Sequence, residues 1–177
     1  MKRTRQVAVV VILAALFVSA PSRGHAQTGT ESRPLVWDLV RSVLVDPTTY
    51  APAAAAYESK LWDWKTSQPL LRHGWLEQNP RFTVSGLPND VPKSYGAGRR
   101  EIGRQTLLTL QLSVTNNLVA GICERTLGAA YPTHRKLVRT LSWVERLAAA
   151  SLLSYAESVE HLRQGRRNQR LVRALGG

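Results

Sequence analysis

Residues 134–165 read HRKLVRTLSWVERLAAASLLSYAESVEHLRQG, and residues 99–127 read RREIGRQTLLTLQLSVTNNLVAGICERTL. Neither stretch contains proline. In the later one, Leu137, Leu141, Val144, Ala148, Ser151, Tyr155, Val159 and Leu162 keep a seven-residue repeat. In the earlier one, Leu107, Leu110 (or Gln111), Val114, Leu118 and Ile122 step three or four residues apart. Such spacing places one apolar stripe along a helix face. Gly128–Pro132 interrupts the pattern, and Thr133 can cap the helix that follows. Two long helices with a short connection predict an antiparallel hairpin. Each stripe is expected to bury against the other and against the helices upstream. The fold class is therefore all-α: a small helical bundle dominated by a long antiparallel hairpin.

Upstream, Ser32-Arg33-Pro34 suits a helix start, and Leu35, Val36, Leu39, Val40, Val43 and Leu44 form a stripe. This gives a helix over 34–45. Asp46-Pro47 ends it, because a residue before proline avoids the α region. A second helix is predicted over 52–67, with Ala53–Ala56 supplying propensity and Tyr57, Leu61 and Trp64 on one side. Residues 68–98 show no period and carry Pro69, Pro80, Pro88 and Pro92 with Gly74, Gly86, Gly96 and Gly98. They read as one long irregular loop, with Arg81–Ser85 as a short extended piece. The helical domain spans 34–168, with helices at 34–45, 52–67, 99–127 and 134–165, and 169–177 is a basic tail.

The N-terminus reads as an address. Lys2, Arg3 and Arg5 precede the apolar run Val7–Ala20, and Gly24-His25-Ala26 offers small residues before a cut at Gln27. That is the layout of a secretory signal peptide over 1–26, of a bacterial type, followed by a flexible lead-in over 27–33. The expected location is the periplasm or the exterior, with an uncleaved N-terminal anchor as the alternative. No transmembrane span is expected in the mature chain, because Gln111, Asn116 and Asn117 interrupt one long helix and Glu145 and Arg146 the other.

The 177-residue chain holds 24 Lys+Arg against 12 Asp+Glu, a formal net charge of +12. Cleavage would remove Lys2, Arg3, Arg5 and Arg23 and no acidic residue, so the surplus persists. A single cysteine excludes an internal disulfide framework and a Cys-rich zinc site. In an envelope compartment the expected polyanions are anionic lipid and cell-wall polymer. An envelope protein is a further candidate partner; nucleic acid is not expected.

Five arginines, Arg163, Arg166, Arg167, Arg170 and Arg173, crowd the C-terminus with no acid between them. The helix dipole gains from cations there, but five exceed what capping requires. Arg99, Arg100 and Arg104 sit at the predicted start of a long helix, where the dipole opposes cations and favours a bound anion. Gly96-Ala97-Gly98 before them allows close backbone approach. Both clusters are candidate anion-binding residues. Aromatics concentrate around the loop: Tyr50, Tyr57, Trp62, Trp64, Trp75, Phe82 and Tyr95. Of these, Trp62, Trp75, Phe82 and Tyr95, together with His73, form a candidate binding surface for sugars, apolar ligands or a partner protein. Trp62 and Trp64 flank Asp63 and point about 200° apart on a helix.

No motif names a reaction, and no cofactor or metal site is expected. Glu157 and His161 are read as a surface pair on one helix face. Asn116-Asn117 is read as structural. Glu58-Ser59 resembles the Glu-Ser pair of cell-wall lytic transglycosylases, but the Gly-x-Met-Gln segment of that family is absent. The expected function is therefore an exported, non-enzymatic helical protein that binds or scaffolds an anionic envelope component or a partner protein. The alternatives are an envelope hydrolase or lyase using His73 with Glu58, Asp63 or Glu77, and a helical subunit of a membrane-associated complex.

Overall fold

A computed structural model describes residues 35–176. The signal sequence over 1–26 and the lead-in over 27–33 lie outside the described residues. Among those described, the chain is all-α, with no strand. It contains α1 (Leu35–Leu44), α2 (Pro47–Arg72), α3 (Tyr95–Ala130) and α4 (Arg135–Ala174), with 3-10 turns at Pro80–Phe82 and Pro132–His134.

The helices run past the limits read from the sequence. The helix expected over 52–67 starts at Pro47 and ends at Arg72, with Pro52 and Pro69 inside it. Pro52 has no N–H to offer the Thr48 carbonyl one turn back. The Ser113 hydroxyl donates to that carbonyl instead, at 3.0 Å. Tertiary packing thus satisfies the group that proline orphans, and the helix continues. Likewise, α4 extends to Ala174, so most of the segment read as a basic tail over 169–177 is helical.

The chain divides into two compact units. One comprises residues up to Asp46 and Thr115–Arg146; the other comprises Pro47–Val114 and the residues from Leu147 onward. In the first, Val43, Asn117, Ala120 and Gly121 are buried. Gly121 lies so close to Leu39 that a Cβ there would sit 2.6 Å from Leu39 Cδ1. Arg146 of α4 donates to Asp46, in the link after α1, at 3.3 Å, to Glu124 of α3 at 2.6 Å and to the Ser142 hydroxyl on its own helix at 3.0 Å. That hydroxyl in turn donates to the Ala120 carbonyl at 3.3 Å.

In the second unit, Leu61, Trp64, Phe82 and Ile102 form the apolar core, with Tyr57 and Leu71 packed against it. The Trp64 and Phe82 rings stack with centroids 5.1 Å apart. Gly98 is where α3 meets that core: a Cβ there would collide with the Trp64 indole. Gly98 therefore serves helix packing, with the Trp64 indole beside it, whereas Gly96 is exposed.

The apolar stripes are the largest departure from expectation. Leu137, Leu141, Tyr155 and Leu107 are 56%, 58%, 63% and 61% exposed. Val144, Leu162 and Ile122 are exposed as well. The buried side of α4 consists of Ala150, Ser158, Gly165 and Asn168. On α3, Thr109, Ser113, Asn117 and Ala120 are buried. Small and polar residues make the internal helix contacts because they let backbones approach closely and can hydrogen-bond across the interface. The larger apolar residues named above face outward, whereas Ile102 of α3 is buried and Leu110, Val114, Leu118 and Val159 are half-buried. By length and composition alone, α3 is apolar enough to cross a membrane.

Candidate functional site

The segment between α2 and α3 is held by its own backbone. Gly74, at φ 86°, follows the end of α2. The Trp75 N–H then donates to the Leu70 carbonyl at 3.2 Å, turning the chain back against the helix. Glu77 and Asp90 exchange backbone hydrogen bonds of 3.0 and 3.2 Å. The Val84 N–H donates to the Val91 carbonyl at 2.9 Å, and the Lys93 N–H to the Phe82 carbonyl at 2.7 Å. The Asn79 side chain caps the 3-10 turn by accepting from the Arg81 N–H at 3.1 Å. These bonds set Trp75, Glu77 and Phe82 on one wall of a cavity.

That cavity, of about 380 Å³, lies wholly within the second unit. Its other walls come from α2, through Asp63, Trp64 and Ser67, and from α4, through His161, Gln164, Arg167 and Asn168. The polar wall is a connected network. His161 Nδ1 lies 2.8 Å from Asp63 Oδ2. Asn168 Nδ2 donates to Asp63 Oδ1 at 3.2 Å and to the Ser67 hydroxyl at 2.8 Å. Gln164 Nε2 donates to Asn168 Oδ1 at 3.0 Å. Asn168 is 3% exposed, so the network anchors on a buried amide. One turn along α2, the buried Lys60 ammonium pairs with Glu157 of α4 at 2.5 Å.

Glu77 faces the same space. Burial raises its pKa above the ordinary carboxylate value, and the Asp63 charge adds to the rise; hydrogen bonds from the Asn79 and Gln78 N–H groups work in the opposite direction. Elsewhere, burial also raises the pKa values of Glu145 and Cys123.

The residues expected to bind ligand separate into two sets. Trp75, Phe82 and Arg167 line the cavity. Trp62 packs instead against Gly165, where a Cβ would lie 2.5 Å from its ring. Tyr95 contributes its carbonyl, which accepts from Trp64 Nε1 at 3.2 Å. His73 is exposed, with Nδ1 2.8 Å from the Pro69 carbonyl, and it does not line the cavity. Arg99, Arg100 and Arg104 are exposed, one turn or more past the Tyr95 start of α3. Arg99 instead hydrogen-bonds Tyr57, which raises its pKa further. Arg163 pairs with Glu160 at 2.8 Å, while Arg166, Arg170 and Arg173 are exposed.

Sequence reasoning missed His161, Asn168, Lys60 and Ser67. The reading of His161 as a surface partner of Glu157 is corrected: Asp63 takes His161, and Lys60 takes Glu157. The legible signal was the spacing His161, Gln164 and Asn168, which puts three polar residues on one helix face. Among the described residues, no group of three or more His, Cys, Asp and Glu side chains could hold a metal ion. No known family matches the chain, and neither a curated protein nor a solved structure is detectably similar to it.

Proposed function

We propose that the chain is an exported, non-enzymatic helical protein that binds or scaffolds a component of the bacterial cell envelope. One observation carries this reading. The same stretch of α4 presents the exposed row Arg166, Arg170 and Arg173 and the polar cavity wall His161, Gln164 and Asn168, with Arg167 at the cavity. The row would hold the protein to an anionic surface, while the cavity would take a small ligand. In this reading α3 and α4 pair as an antiparallel hairpin, which the Ser142–Ala120 contact supports. The aromatic segment between α2 and α3 supplies specificity.

Co-sedimentation with phosphatidylglycerol vesicles tests the anionic surface. Binding should be lost in high salt and in the Arg166→Glu/Arg170→Glu/Arg173→Glu variant, and be absent with phosphatidylcholine alone. Binding unaffected by salt and by the variant would sink this reading. Truncation at Arg163 is a poorer test, because it would also remove Gly165 and Asn168 from the second unit. Intact mass tests export: a soluble species beginning at Gln27 supports it, and a membrane species beginning at Met1 supports an anchor.

A second reading is favoured by the Asp63–His161 pair beside Glu77. It is an envelope hydrolase or lyase with His161, rather than His73, as its proton acceptor. Turnover of a cell-wall fraction that His161→Asn abolishes would establish it over the binding role.

A further inference from the structure

We propose that the cavity in the second unit is a saccharide seat that takes an uncharged pyranose. The inference goes beyond attachment to an anionic surface and rests on the cavity alone.

The chemistry of the walls narrows the ligand. An anion entering the cavity meets the carboxylates of Asp63 and Glu77. A cation meets the Arg167 guanidinium, and both Asp63 oxygens are already accepting hydrogen bonds, from His161 and Asn168. Each ionic class therefore faces like charge in a confined space. A purely apolar ligand would strip water from the exposed Gln164 and Arg167 side chains without replacing those contacts, which is costly. An uncharged ligand with hydroxyl groups meets none of these penalties.

The remaining walls suit a ring. Trp75 and the Trp64–Phe82 stack are aromatic, and Leu70, Leu76 and Leu171 complete an apolar side. A pyranose has apolar faces made of C–H groups and an equatorial rim of hydroxyls. Its faces match the aromatic wall. Its rim finds both donors, from Gln164 and Arg167, and acceptors, from Glu77. The Glu77 carboxylate accepts from the Asn79 N–H through one oxygen, at 2.8 Å, and its other oxygen can accept from a ligand hydroxyl. The volume of about 380 Å³ falls within the range of roughly 300–1,000 Å³ usual for small-molecule pockets.

The test is calorimetric titration of the soluble protein with four probes: chitobiose, cellobiose, choline and inorganic phosphate. Two variants, Trp75→Ala and Gln164→Ala, alter exposed residues of the wall, and unchanged circular dichroism checks their folding. Saturable binding of a neutral disaccharide, weakened about tenfold by each variant and not displaced by choline or phosphate, is expected. Saturable binding of choline or phosphate without disaccharide binding overturns the ligand class. If Trp75→Ala weakens that binding, the cavity stands as a seat for another ligand. Disaccharide binding unchanged in both variants overturns the site. No saturable binding by any probe at millimolar concentration overturns the proposal outright, whatever the vesicle assay shows.

Discussion

His161 Nδ1 lies 2.8 Å from Asp63 Oδ2, joining α4 to α2 in the second unit. The carboxylate only accepts, so it selects the proton on Nδ1 and leaves Nε2 bare in the neutral ring. Asn168 holds the other Asp63 oxygen and fixes the carboxylate in place. Long-range proton–nitrogen NMR at mildly alkaline pH should therefore show the Nδ1–H tautomer for His161. Asp63→Asn should shift the population toward Nε2–H. A dominant Nε2–H form in the unaltered protein would contradict the geometry.

The Lys60–Glu157 pair is unequal. Lys60 is 4% exposed and Glu157 is 38% exposed. Removing the carboxylate strands an ammonium in the interior, whereas removing the ammonium leaves a carboxylate that can reach water. Glu157→Gln should cost about 1–3 kcal/mol in urea unfolding, and Lys60→Met should cost less. The double variant should recover part of the Glu157→Gln loss. Equal costs for the two single variants would show that the burial difference does not govern the pair.

Helix content was legible in the sequence because long proline-free stretches with a three-to-four period leave little else to build. The facing of those helices was not. The seven-residue repeat from Leu137 to Leu162 points to a buried seam, yet the internal contacts go through Ala150, Ser158, Gly165 and Asn168. Periodicity finds a face and cannot say whether that face turns inward. Helix ends suffered similarly: Pro52 looked like a start, but the Ser113 hydroxyl, distant in sequence, serves the carbonyl that proline leaves free. At the site, Trp75, Phe82 and Arg167 were legible as unusual residues. Asp63 and Glu77 were legible as titratable groups near aromatics. Their partner was not, because His73 lay nearer in sequence than His161, and only the packing of α2 on α4 decides between them.

Glu77 gives a pH signature. Its folded-state pKa is raised above the ordinary 4.5 by burial. The folded state therefore binds more protons than the unfolded state between those two values. Its contribution to stability is fully present below 4.5 and is lost as pH rises through the higher folded value. Glu77→Gln keeps an oxygen for the Asn79 N–H and removes the titration. Unfolding free energies should show the variant gaining on the unaltered protein from acid to neutral pH. A constant difference across that range would place the Glu77 carboxyl in water.

Gly165 is enforced by Trp62. A helix interior alone favours alanine over glycine by about 0.8–1.0 kcal/mol. Here a Cβ would lie 2.5 Å from two atoms of the Trp62 ring. Overpacking of this kind costs about 1–3 kcal/mol, so the steric effect should win. Gly165→Ala should lower the melting temperature, and Trp62→Leu in the same chain should restore part of it. A stabilised Gly165→Ala would mean that α4 can move away from Trp62 at little cost.

The outward apolar residues of α4 separate folding from association. Leu152 and Tyr155 are 65% and 63% exposed. Truly exposed positions usually change stability by no more than about 0.5 kcal/mol when substituted. Leu152→Lys with Tyr155→Lys should therefore leave urea unfolding nearly unchanged. The same pair should abolish any concentration-dependent sedimentation of the unaltered protein, because these side chains offer apolar area that no described residue covers. Sedimentation velocity over a concentration series reads this directly. A large loss of stability in the double lysine variant would instead mean that the repeat packs inside the folded chain, as its periodicity first suggests.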